Sequence, residues 1–252
     1  MKVLITGAAG YLAGFIVEAL AADHELTLTD VVALPDDRAS HRYVQADITD
    51  CDAVAAACAG HDAVVHTVAL VRERFDKPPT LFADVMVKGT WNVAEGCARQ
   101  GVGRLVNISS VVAVGSPADR TQPYRVGDPQ QFNEGDLYYC LAKHLGEEIG
   151  RAYHQAHGLS VVHIRPGVIA GDGLNREPLA PEKATGPWFM HVSPLDVAGA
   201  VRKALTADVS YGAYHAVTAR ADGVYDWNET QRDLGHTPEH NWPGIPQGEA
   251  TS

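Results

Sequence analysis

The chain has 252 residues, a formal net charge of −11 and 46 % hydrophobic residues, the composition of a soluble globular protein with a sizeable core. The acidic balance argues against a nucleic-acid binder, which neutralises phosphates with basic patches. No run approaches the roughly 18 apolar residues that cross a bilayer, and the opening Met1-Lys2-Val3-Leu4-Ile5-Thr6 enters a strand pattern without the features of a signal peptide.

The predicted elements alternate between short apolar strands and longer helices. Lys2–Thr6 reads as a strand and Tyr11–Ala22 as a helix, followed by strands at Leu26–Asp30 and Tyr43–Gln45. A helix at Cys51–Ala59 precedes a strand at Ala63–His66, and one long helix is expected over Thr80–Gln100. A strand at Leu105–Ser109, a helix at Leu137–His157, a strand at Ser160–Ile164, a helix at Pro194–Thr206 and a strand at Ala213–Val217 complete the order. Several strands are unbroken Val, Leu and Ile runs, as a parallel sheet covered on both faces requires. The fold class expected is α/β, a doubly wound parallel sheet of the Rossmann type with a small C-terminal substrate-binding portion. Residues 1–165 form the expected nucleotide-binding domain. Residues 166–252 form the small region, interleaved with the last strand, with an extended or disordered tail from about Pro238. The Pro- and Gly-rich stretches Gly115–Gly135 and Gly167–Trp188 read as long functional loops.

The four cysteines, Cys51, Cys58, Cys97 and Cys140, make no C-x-x-C pair and read as reduced thiols of a cytoplasmic protein. His236 and His240 are separated by Pro238 and share no helix face, and no metal site is expected.

The first strand runs into Thr6-Gly7-Ala8-Ala9-Gly10-Tyr11-Leu12-Ala13 and then a helix. Glycines there permit a tight turn that presents backbone N–H groups to a pyrophosphate at a helix N-terminus. Asp30 ends the second strand, where a carboxylate receives ribose hydroxyls and repels a 2′-phosphate, favouring NAD over NADP. Asp47 reads equally as an adenine contact or a helix N-cap. Ser109-Ser110 closes the fifth strand, and Tyr139 and Lys143 stand four apart on the following helix, sharing a face. An ammonium beside a phenol favours the phenolate, which can move a proton at a substrate oxygen that a serine hydroxyl orients.

With these motifs, and with Val65-His66-Thr67-Val68-Ala69, Gly89-Thr90-Trp91-Asn92 and Arg165-Pro166-Gly167, the sequence resembles the extended short-chain dehydrogenase/reductase family, the NAD-dependent epimerase/dehydratase group. The resemblance spans Lys2 to about Val217. It implies Tyr139 as general acid/base, Lys143 as the group that lowers the tyrosine's pKa and holds the nicotinamide ribose, and Ser110 as the residue orienting the substrate oxygen. It implies a cofactor site of Gly7, Ala9, Gly10, Tyr11, Leu12, Asp30, Asp47, Ile48, Val68, Ala69, Pro166 and Val168. It also implies a homodimer through the Thr80–Gln100 and Leu137–His157 helices.

Departures from the family pattern narrow the chemistry. Ala13 replaces the usual third glycine, with Gly14 after it, and Met86 stands where an Asn involved in a proton relay or helix kink often stands. Val111 and Val112 follow Ser110, where dehydratases of the family place an acidic pair, which argues against water elimination. The stretch beyond Arg165 is short for a nucleotide clamp and favours a smaller substrate. Among compact members the chain looks most like uronate and related sugar dehydrogenases, although valines replace the polar residues that contact a uronate. Ser110, Val111 and Val112 are candidate substrate contacts; Arg72, Asn175 and Arg176 read either as substrate clamps or as solvated residues. The leading expectation is an NAD-dependent oxidoreductase acting on a hydroxyl or carbonyl of a small substrate such as a sugar, sugar acid or related alcohol. An epimerase with retained NAD is the alternative, and a non-catalytic NAD(H)-binding module the third.

Overall fold

Continuous Val, Leu and Ile runs bury both of their faces here. In a computed structural model, which describes residues 1–71, 77–114, 124–128, 132, 137–170, 191–219 and 224–240, seven strands form one parallel sheet. They are β1 (Lys2–Thr6), β2 (Glu25–Asp30), β3 (Arg42–Gln45), β4 (Ala63–His66), β5 (Arg104–Ile108), β6 (Ser160–Pro166) and, with a two-stranded side sheet intervening in the chain, β9 (Tyr211–Ala216). Their spatial order is β3-β2-β1-β4-β5-β6-β9. The order reverses between β1 and β4, so crossovers leave in opposite directions and a crevice opens at the carboxyl ends of these strands.

Successive strand residues face opposite layers. Val3, Ile5, Val65 and Ile164 pack into one core with α1 (Tyr11–Leu20) and α6 (Pro194–Ala204). Leu4, Val64, Leu105 and Val161 pack into the other, against α2 (Cys51–Cys58) and α4 (Gly89–Gln100). α5 (Leu137–His157) covers β6 and lies against α4.

The helix expected over Thr80–Gln100 is continuous in helical backbone from Pro79 to Gln100, but it is not a uniform α-helix. A short α3 (Pro79–Phe82) is followed by wide π turns over Ala83–Lys88 before α4 begins. A Cβ on Gly89 would lie 2.9 Å from Ile48 Cγ2, so this glycine lets the helix press against the loop after β3. The Thr90 hydroxyl donates to Met86 O at 2.6 Å. The distortion is therefore present although Met86 replaces the family's Asn. The side sheet, β7 (Val168–Ile169) with β8 (His191–Val192), is too short to carry a periodic signal and was not anticipated. The described start of the tail is anchored: Glu239 N and His240 N donate to Asp196 Oδ1 and Oδ2 at 2.8 and 3.1 Å.

Three buried histidines make the fold acid-sensitive. Burial lowers His66 to about 3, helped by the Lys143 charge. It lowers His163 and His215 to about 4, against opposition from Glu147 at His163 and with help from Arg165 at His215. Each stays neutral when folded but gains a proton near pH 6.5 when unfolded, so stability is lost as pH falls from about 6.5 toward 4. Each histidine contributes on the order of 2–3 kcal/mol to that loss by pH 4. Thermal melts over this range should fall steeply; a flat profile would show that these imidazoles do not stay neutral.

Candidate active site

Gly7 has φ +71°, and a Cβ there would stand 2.8 Å from Thr67 Oγ1 and 3.0 Å from Val68 N. Only glycine allows β4 to approach the turn so closely. Thr67 Oγ1 donates to Thr6 O at 2.7 Å, tying the ends of β1 and β4 together. Asp30 Oδ2 accepts from Ala9 N at 2.9 Å and Oδ1 from Val32 N at 3.2 Å, which fixes the carboxylate beside the turn. Gly10 caps α1 without a side chain, and the first turn of the helix holds no acidic residue. Such an end presents N–H groups and a partial positive charge.

In front of this turn lies a cavity of about 520 Å³ lined by Gly7, Gly10, Asp30, Asp47, Ile48, Val68 and Ala69. Asp47 is not a helix cap: Asp50 caps α2, accepting from Asp52 N and Ala53 N at 3.0 Å. Asp47 instead accepts from Thr49 N and Oγ1, which hold its carboxyl below the usual range. The far wall comes from Leu81, Asp84 and Val85 on α3 and the π turns.

Two strands along, α5 carries Tyr139 and Lys143. Tyr139 is buried with Phe82, Met86 and Ala142, and Leu70 and Val112 pack against this group. Lys143 Nζ donates to Ile108 O at 2.6 Å and stands 5.8 Å from the Tyr139 ring centre. Burial pulls Lys143 down to about 8 while the Glu147 charge opposes that fall. Ser110 follows β5, its Oγ accepting from Val112 N at 3.4 Å.

One turn beyond Lys143, Glu147 makes a two-pronged ion pair with Arg165 of β6, at 2.8 Å (Nε to Oε1) and 2.6 Å (Nη2 to Oε2). Burial pushes the Glu147 carboxyl up, but Arg165 outweighs it and holds it below its ordinary range. Ser109 Oγ donates to the same carboxylate, and Arg165 Nη1 donates to Val126 O at 3.2 Å. The pair thus joins α5 to the ends of β5 and β6 and to part of the loop preceding Tyr139.

The other expected residues are scattered around this frame. Ala9 gives its N–H to Asp30, the Tyr11 hydroxyl donates to Ala170 O at 3.0 Å, and Leu12 packs on the core. Pro166 and Val168 lie at the end of β6 and in β7, outside the cavity lining. Val111 is 2 % exposed and packs with Val114, Tyr124 and Tyr225, so it serves the core while half-buried Val112 alone of the two reaches the surface. Arg72, Asn175 and Arg176 lie outside the described residues. Sequence reasoning missed Arg38, Glu147 and the Leu81–Val85 wall; their signals were a charge in an acidic run, a charge on a helix face and a change from α to π turns that propensity does not mark.

The family described as NAD dependent epimerase/dehydratase matches residues 3–210. The chain belongs to that family. It is 31 % identical to an L-arabinose 1-dehydrogenase (NAD(P)(+)) of Haloferax volcanii, covering 95 % of this chain and 97 % of the relative. It is 27 % identical to an NAD-dependent glucose-6-phosphate dehydrogenase of the same organism, over 95 % and 93 %. The crystal structure of uronate dehydrogenase from Agrobacterium tumefaciens is similar at a TM-score of 0.78 and 25 % identity, over 95 % of this chain and 85 % of that one. The chain is an NAD-dependent oxidoreductase of the extended short-chain type, and the site suits that cofactor. The glycine turn, the uncapped end of α1 and the pinned Asp30 could hold pyrophosphate and adenosine ribose, and Asp47 and Ile48 line the same cavity.

Asp30→Ala should weaken NADH binding about ten-fold and move the NADH to NADPH affinity ratio toward NADPH by a similar factor. Titration of both cofactors by fluorescence reads this; an unchanged ratio would remove Asp30 from cofactor discrimination.

Proposed function

We propose that the protein oxidises a small free sugar or sugar acid at a ring hydroxyl, with C1 the preferred carbon. The observation carrying this reading is the pairing of Tyr139 with Lys143 beside the end of β5, where Ser110 is followed by valines rather than by an acid. The likeness to an arabinose 1-dehydrogenase and a uronate dehydrogenase supports the substrate class.

When bound, NAD supplies the hydride acceptor. Ser110 orients the substrate hydroxyl, and Tyr139 removes its proton as a phenolate favoured by Lys143. Lys143, held on Ile108 O, also offers its remaining protons to a ribose hydroxyl. Residues 1–165 form the cofactor part of the protein and residues 166–252 shape the substrate side. Exposed Trp91 on α4 and Tyr138, Leu141 and Leu145 on α5 support a homodimer built on these helices.

The reading is tested by NADH absorbance with purified protein, NAD and a panel of aldoses, sugar phosphates and uronates. NADH formed with an aldose or uronate is the expected result. Silence across the panel, with NAD released only on denaturation, would instead favour an epimerase that retains its cofactor.

A further inference from the structure

Arg38 follows two aspartates in a short 3₁₀ turn after β2, Asp36–Arg38, where a solvated charge is the ordinary reading. Its guanidinium is instead buried. Nη1 donates to Ala8 O at 2.7 Å and to Gly10 O at 2.8 Å, and Nε donates to Asp37 Oδ1 at 3.1 Å. The space it occupies is reserved on α1: a Cβ on Gly14 would stand 3.3 Å from both Arg38 Cζ and Nη2. That explains the glycine displaced by one position from the usual turn pattern.

We propose that Arg38 is a positioning residue for cofactor binding, holding the turn in the shape that receives the pyrophosphate. In a trans peptide the C=O and the following N–H point in opposite directions. Arg38 pulls the Gly10 carbonyl inward, which aims Tyr11 N–H outward at the uncapped end of α1. It pulls the Ala8 carbonyl the same way, and the Ala9 N–H on the other side meets Asp30. The turn is thus clamped from both sides, through carbonyls by a cation and through an N–H by a carboxylate. Ordering the turn in advance lowers the cost of ordering it on binding. The inference rests on the cofactor reading alone and not on the sugar.

The test is equilibrium binding of NADH by fluorescence, with ADP-ribose and adenosine as competitors, to Arg38→Met, Arg38→Lys and Gly14→Ala. Arg38→Met should weaken NADH and ADP-ribose about ten-fold while adenosine, which lacks the pyrophosphate, stays within about two-fold. Arg38→Lys should recover part of the loss. Gly14→Ala should weaken NADH by a smaller factor with the arginine still present. A folded Arg38→Met with parental NADH affinity overturns the proposal. So does equal weakening of NADH and adenosine, the mark of a structural role only. Should Arg38→Met fail to fold, the other two variants decide: selective loss of NADH and ADP-ribose supports the clamp, and parental affinity in both overturns it. A parent protein that binds no NADH overturns both the clamp and the cofactor reading.

Discussion

Tyr139→Phe lowers turnover by on the order of 10³-fold or more while NADH affinity stays within about two-fold of the parent. Only the hydroxyl is lost. The phenyl ring keeps its place among Phe82, Met86 and Ala142, and Lys143 keeps its hydrogen bond to Ile108 O. The cavity in front of the glycine turn does not include Tyr139 in its lining, so the adenosine end of the cofactor has no reason to bind less well. Steady-state assays with the substrate found by the panel, run beside an NADH titration, separate the two effects. A variant retaining most of its turnover would remove Tyr139 from proton transfer and leave the Tyr–Lys pair without a chemical role.

Glu147→Ala destabilises the fold by about 3–5 kcal/mol, because it strands the Arg165 guanidinium in the interior without its carboxylate. For a chain of this size that is a drop of about 10 °C or more in melting temperature. The same substitution removes the acceptor of Ser109, the neighbour of Ser110, and the charge that opposes the lowering of Lys143. Turnover should therefore fall as well. The double variant Glu147→Met/Arg165→Met carries no stranded charge and should be more stable than Glu147→Ala. Thermal melts of the three proteins check this; a Glu147→Ala melting temperature within a degree or two of the parent would show that the pair does not hold α5 in place.

The sheet was legible because its strands are apolar on both faces. Lys2–Thr6 and Ala63–His66 came out with the observed limits, and the remaining sheet strands shifted only by one to two residues at their ends. The helix over Leu137–His157 was legible because its apolar stripe is uninterrupted. The helix over Thr80–Gln100 was legible as a helical run, but the wide π turns over Ala83–Lys88 inside it were not, because local propensity does not register them. Among the candidate site residues, Gly7, Asp30, Tyr139 and Lys143 stand out in the sequence by their spacing. Arg38 and Glu147 do not, since each resembles a surface charge until burial and partners are seen. Val111 misled for the opposite reason: its place after Ser110 suggested a substrate contact, but the 3₁₀ turn over Val111–Ala113 points it into the core.

On the proposed chemistry, this site moves a hydride from a sugar carbon to NAD. The most direct measurement uses an aldose deuterated at C1 and mass spectrometry of the NADH formed. NADH one mass unit heavier, with the sugar recovered as its lactone or acid, is the result expected. Unlabelled NADH, or an altered sugar with no NADH released, would contradict it.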